Sequence, residues 1–127
     1  MATVPFKLIA PGEIVFEGDA ELVIVVTTEG EEGILPRHAP LLAALRPGLL
    51  RANVVREGAS ERLERATGSG FIQALPDRVT VLVDEALRFE DVDVARTRQE
   101  LAQAQAAHDR AAEEFARAKL RLTGHET

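Results

Sequence analysis

The sequence predicts a mostly β chain with a helical tail: about ten short strands in an antiparallel sandwich or flattened barrel, then two helices. Two observations carry this. All six prolines lie at or before Pro76, and eight of the nine glycines at or before Gly70, so the first part is cut into short pieces. Between Pro76 and Gly124 there is neither residue, and nine alanines fall between Asp91 and Leu122, which is the composition of helix. At 127 residues the chain is one domain, or one domain with a small appendage.

Taken in order, Phe6 and Leu8 alternate around Lys7 in a short strand that Pro11-Gly12 ends. Glu13 to Phe16 is a second. Ala20 to Thr28 is the strongest, with Leu22, Ile24 and Val26 on one face and Val23 and Val25 on the other. Apolar residues on both faces predict a central strand covered at least in part on both sides. Ile34-Leu35 and Leu41 to Leu45 flank a segment bracketed by Pro36 and Pro40. Proline fixes φ and biases its predecessor away from helix, so this is a stiff loop carrying Arg37 and His38. With Glu29, Glu31 and Glu32 beside it, it is a charged loop on a hydrophobic scaffold, a common place for binding. Pro47-Gly48 turns the chain into Leu49 to Glu57. A hairpin turn at Arg56 to Ser60 then leads back along Arg62 to Thr67. Gly68 and Gly70 mark a bulge or a close backbone approach. Phe71 to Leu75, Arg78 to Val83 and a last short strand over Glu85 to Arg88 complete the set.

From Asp91 the pattern is helical. Asp91 or Asp93 caps its start, and Gly124 is a natural stop. One continuous helix would be about 48 Å long, too long to pack on so small a sandwich. A break at His108-Asp109, with Asp109 as second N-cap, gives an antiparallel hairpin. Its core of Leu101, Phe115, Leu120, Leu122 and alanines is thin, which implies a conditionally docked element.

Composition excludes several functions. Aromatics are 4% with no Trp or Tyr, which leaves no base-stacking or sugar-binding platform. A net charge of −6 disfavours phosphate backbones. Without Cys there is no disulfide, thiol nucleophile or thiolate metal site, and His38, His108 and His125 lack ligand spacing. The longest strongly apolar run, Leu22 to Val26, is far short of the ~20 residues of a membrane helix. The N-terminus shows no signal-peptide pattern. No catalytic constellation stands out. Glu31-Glu32 and Asp84-Glu85 are adjacent on strands and point to opposite faces, so neither pair is an acid/base dyad. Thr67-Gly68-Ser69-Gly70 precedes no helix and is not a phosphate loop. These residues leave open a small β-sandwich ligand-binding or adaptor module with a helical tail.

Thr28 to Leu42, TEGEEGILPRHAPLL, resembles the TEGE-x-GILP-x-HAPLL signature of the epsilon subunit of F-type ATP synthases, called delta in mitochondria. Ala44 to Gly48, Phe71 to Ala86 and Val92-Asp93-x-x-Arg96 resemble its later motifs in the same order, so the likeness spans essentially the whole chain. It implies a ten-stranded β-sandwich over 1–88 bound to the γ subunit and the c-subunit ring. It also implies a regulatory helical hairpin over 89–127 that can reach the catalytic α/β head. The resemblance implies a non-catalytic central-stalk subunit, peripheral on the cytoplasmic face of the bacterial inner membrane, with Glu31, Gly33 and His38 facing the c-ring. Some relatives bind a regulatory ATP through [IL]-D-x-x-R-A. Here Val92 and Thr97 depart from that motif, and the implied ATP residues are Asp84, Asp93 and Arg96. The hairpin is shorter than in long bacterial members, which implies weaker inhibition of hydrolysis.

Overall fold

The structure is a computed structural model that describes residues 2–125. Met1, Glu126 and Thr127, at the outer limits of the expected 1–88 and 89–127 segments, lie outside the described residues. Nine strands come first: β1 (Val4–Ala10), β2 (Glu13–Thr27), β3 (Gly30–Ile34), β4 (Leu41–Leu45), β5 (Gly48–Arg56), β6 (Ala59–Thr67), β7 (Gly70–Leu75), β8 (Arg78–Val83) and β9 (Ala86–Leu87). A 3₁₀ turn (Phe89–Asp91) then leads to α1 (Val94–Ala106) and α2 (Arg110–Leu122).

The count is nine rather than ten because the two expected strands over Glu13–Phe16 and Ala20–Thr28 are one. Gly18 and Asp19 stay extended, pairing with Phe6 and Pro5 of β1. Register shifts near Val15 and at Glu21 mark bulges, and a bulge bends a strand without ending it. β2 therefore serves both layers. Its first half pairs with β1, its second with β3, and β5 takes its other edge from Asp19 to Ile24. One layer runs β4–β7–β8–β1, the other β3–β2–β5–β6–β9. A single pair, Thr27 with Leu45, joins β2 to β4, so the ring β2–β1–β8–β7–β4 closes on itself.

The sequence predicts antiparallel ladders throughout, and one ladder differs. β1 pairs in parallel with β8, Phe6 opposite Val79 and Leu8 opposite Val81. Parallel neighbours need a long crossover, and the whole chain between β1 and β8 supplies it. The core lies between the layers, where Phe6, Leu8, Val23, Leu50, Ile72 and Val81 are almost wholly buried. Val23 and Val25 face it, while Leu22, Ile24 and Val26 are half-covered, the central-strand pattern that their alternation predicts.

The helices form the expected hairpin. Asp93 and Asp109 are N-caps, their carboxylates accepting from the N–H groups of Arg96 and Ala112 at 3.1 Å. α1 stops at His108, which takes the left-handed φ of 55° usually left to glycine; Asp109 N–H donates to the Ala104 carbonyl at 2.9 Å across it. Gly124, φ 75°, ends α2 in the same way. α2 packs on β5 and β6. The interior is thinner in large side chains than the sequence suggests: Leu120 is buried, but Leu101, Phe115 and Leu122 are only half-buried. Ala104, Ala116, Ala118 and Thr97 fill the centre instead. Small residues let the helices approach closely, and that approach leaves no room for the larger side chains. Among the described residues no helix is long and apolar enough to cross a membrane.

Candidate functional site

The outer face of the β4–β7–β8–β1 layer carries an apolar row. Cross-strand register aligns Ala44, Phe71, Leu82 and Ile9, one from each strand, with Leu42 two residues along β4. Leu42 is 75% exposed, Phe71 58% and Leu82 49%. The hairpin sits on the other layer, and among the described residues no helix packs over this row. A contiguous patch of large apolar side chains on a sheet face marks an interaction surface. Alternation in β8 draws attention to the inward valines, Val79, Val81 and Val83, and away from the outward set, which becomes a row only through cross-strand register.

The proline-bracketed loop is built as a turn. His38 N–H donates to the Leu35 carbonyl at 3.1 Å, with Pro36 second in the turn and Arg37 third at φ 65°. Proline is favoured at the second position, while a left-handed arginine is strained. The His38 imidazole is held at Nδ1, which donates to the Ala39 carbonyl at 2.6 Å, while Nε2 lies 3.5 Å from Glu32 Oε1 and pairs with it only when the ring is protonated. Along β3, Glu31 and Gly33 lie on the outward face and Glu32 and Ile34 on the inward one. Glu31 meets Arg51 of β5 at 2.8 Å. So Glu31 and Gly33 share one face, while His38 reaches Glu32 on the other. The cross-strand partner Arg51 could not be read from the sequence, because it depends on the β2–β3 and β2–β5 registers.

The hairpin is held to the sandwich by an ion pair, Arg46 Nη1 to Glu114 Oε2 at 3.3 Å, with Arg46 Nε donating to the Thr27 carbonyl at 3.1 Å. Lys119 Nζ ties α2 to α1 through Glu100 Oε1 at 2.7 Å and lies 4.8 Å from the centre of the Phe115 ring. Between the helices is a cleft lined by Glu85, Glu100, Gln103, Phe115 and Lys119 with several alanines. Asp84, Asp93 and Arg96 are not among its lining residues. Asp93 is the cap of α1, and Arg96 is exposed, 4.0 Å from Glu100. Asp84 N–H donates to the Ser69 carbonyl, and its carboxylate lies against Gly68. Thr97 is buried and its hydroxyl donates to the Asp93 carbonyl at 2.7 Å. Among the described residues no group of His, Asp and Glu is placed to hold a metal ion.

Comparison with known proteins gives a consistent result. Residues 3–89 match the β-sandwich domain of the ATP synthase delta/epsilon chain. The ATP synthase epsilon chain of Halalkalibacterium halodurans is 39% identical over 125 residues, 96% of this chain and 91% of that one. The epsilon chain of Chromobacterium violaceum is 35% identical over 119 residues, covering 94% and 84%. The epsilon chain of Shouchella clausii is 44% identical over 98 residues, covering 77% and 71%. In fold, a chain of the Euglena gracilis mitochondrial ATP synthase OSCP/F1/c-ring structure superposes with TM-score 0.72 at 22% identity, covering 98% of this chain and 79% of that one. A chain of the Tetrahymena thermophila mitochondrial ATP synthase central stalk/c-ring structure gives 0.63 at 18%, covering 93% and 97%.

Proposed function

The chain belongs to the delta/epsilon chain family of ATP synthases, and we propose that it is a non-catalytic rotor subunit coupling the c-ring to the catalytic head through γ. The observation that supports this most directly is the uncovered apolar row Ala44–Phe71–Leu82–Ile9 with Leu42. A subunit clamped to a stalk needs a large apolar contact on one layer, and the hairpin occupies the other. We assign that row to γ. The complex stands at the cytoplasmic face of a bacterial inner membrane, with this chain peripheral to it.

The c-ring contact is assigned to Glu31, Gly33 and His38. The stiffened Pro36 turn and the pinned imidazole suit a foot that bears load without yielding. Replacing Glu31 and His38 together with alanine is expected to weaken coupling while leaving the fold intact, because both are surface side chains. Proton pumping driven by ATP in membrane vesicles checks this; unchanged pumping at unchanged subunit content removes the assignment.

The hairpin is assigned a regulatory role, docked on β5 and β6 in one state and extended toward the α/β head in another. α2 packs on β5 and β6, and the partly exposed ion pair Arg46–Glu114 adds about 1 kcal/mol or less to that contact. The two docked states can exchange under a small bias. Each helix is 13 residues, about 20 Å, so the arm is short. Truncation after Glu90 is therefore expected to raise ATPase activity of the assembled enzyme only modestly. A tenfold rise, equal to about 1.4 kcal/mol of lost inhibition, would count against weak inhibition.

Regulatory ATP at Asp84, Asp93 and Arg96 requires Asp93 to give up its cap, at a cost of about 1 kcal/mol. Binding is therefore expected to be weak. Titration calorimetry of the isolated chain checks it, and absence of heat at millimolar ATP ends the assignment.

A further inference from the structure

A seam opens where the two layers part. From Glu13 to Gly18, β2 pairs only with β1, because its ladder with β5 begins at Asp19. β9 pairs only with β6. Near these two edges lies a cleft of about 590 Å³ lined by Glu13, Ile14, Val15, Arg65, Arg88 and Asp91, with Ala86 and Leu87 of β9.

Arg65 has an unusual position. Alternation along β6 puts it on the same face as Leu63 and Thr67, both buried, opposite the buried Leu50 of β5. It is an inward-pointing cation at the open side of the sandwich. One of its donors, Nη1, meets the Glu64 carbonyl at 2.8 Å. Nε is buried without a hydrogen-bond partner, and among the described residues no carboxylate lies within ion-pair distance of the guanidinium. A buried donor without an acceptor is costly and calls for an explanation. Burial and then the like charge of Arg88 hold the Arg65 guanidinium below its ordinary range, so the surroundings undercompensate its charge. Two acids, Glu90 and then Asp91, act on it from a distance; Glu90 stands 4.0 Å from Arg88 Nε, and Asp91 is already engaged. Its carboxylate accepts the Arg88 backbone N–H at 2.9 Å and the Arg88 Nε and Nη2 at 3.4 Å. Those bonds leave Arg88, half-exposed at the rim, with free donors on Nη1.

We propose that this seam is an oxyanion-binding site, in which Arg65 from within and Arg88 at the rim hold one carboxylate or phosphate group. Paired guanidinium groups match the planar, multi-oxygen geometry of both. The group has two sources, a free small oxyanion or an acidic side chain of a protein packed at the seam. Arg88 and Asp91 bound the short turn that connects the sandwich to α1, so an occupied site fastens that turn to β6. The anion thereby favours the docked hairpin over the released one.

The side-chain Nε–H resonance of Arg65 in the ¹⁵N-labelled full chain reads the site directly. Inorganic phosphate and acetate are titrated at constant ionic strength against chloride. The expected result is a saturable shift of that resonance. Arg65→Gln is expected to abolish the accompanying shift of the Arg88 resonance, and Arg88→Gln to weaken binding about tenfold. This arm does not depend on the rotor assignment. Should both small anions be silent while the Arg65 resonance moves on mixing with γ, the oxyanion is an acidic side chain of that partner. If neither arm moves it, the site is overturned and Arg65 is a charge that guards the sheet edge. An Arg65→Met chain more heat-stable than the parent, with no difference caused by phosphate in either, would overturn the site equally.

Discussion

Gly70→Ala is expected to lower the stability of the chain by roughly 3–5 kcal/mol, a large part of what a domain of this size possesses. The reason is a backbone contact. Gly70 begins β7 and pairs with Leu45 on one side and Val83 on the other. A methyl group there would lie 1.9 Å from the Leu82 carbonyl oxygen and 2.8 Å from the Val83 Cα. Neither atom can rotate away, so the β7–β8 ladder must separate. Gly68 offers the contrast. A methyl at Gly68 would also stand 1.9 Å from an oxygen, but that atom is Asp84 Oδ1, the end of a side chain that can turn aside. Gly68→Ala is therefore expected to cost about 1 kcal/mol. Urea unfolding of the two variants and the parent measures the difference. Equal midpoints for the two would mean that the close approach of β8 to Gly70 does not constrain the fold.

Phe71→Asp combined with Leu82→Asp is expected to abolish assembly while sparing the fold. Both side chains are already about half exposed or more, so the isolated chain should unfold near its usual temperature. Central aromatic and aliphatic anchors of an interface contribute about 2 kcal/mol or more each, so affinity for γ should drop at least about 100-fold. Surface-immobilised γ measures the affinity, and circular dichroism checks the fold. Ala59→Asp, exposed at the β5–β6 turn and away from both the row and the seam, serves as the control. If the double variant binds as tightly as the control, γ does not lie on this face.

The fold class is legible in the sequence because its signals are local. Alternation in Val79–Val83 and in Leu22–Val26, the Pro/Gly distribution and the Asp109 cap each act within a few residues. What stays hidden is non-local. Gly18 reads as punctuation, yet the ladder with β1 carries β2 straight through it. The parallel β1–β8 pair joins residues more than seventy positions apart, and no short-range pattern encodes it. In the hairpin, hydrophobicity points to Leu101, Phe115 and Leu122, whereas close helix approach favours Ala104, Ala116 and Thr97. Thr97 departs from a binding motif in sequence; in the fold it is a packed residue with a satisfied hydroxyl. At the loop, the residue types are readable but their pairing is not: Glu31 with Arg51 and Glu32 with His38 follow from strand register and facing. Arg65 is within reach of sequence reasoning, since period-two alternation from Leu63 to Thr67 already turns it inward.

The bent strand β2 has a mechanical consequence. Its fifteen residues pair with β1, β3, β5 and, at Thr27, β4. A force along its axis loads the flanking hydrogen bonds together, in shear. A force across the sheet instead opens an outer strand one bond at a time, as with β9, which pairs with Ala66 and Thr67 and is extended by the Gly68 N–H donating to the Glu85 carbonyl. The sandwich should therefore be stiff along β2 and compliant at β9, where the helices are attached. Pulling between residues 13 and 27 should require a much larger rupture force than pulling between residues 67 and 88.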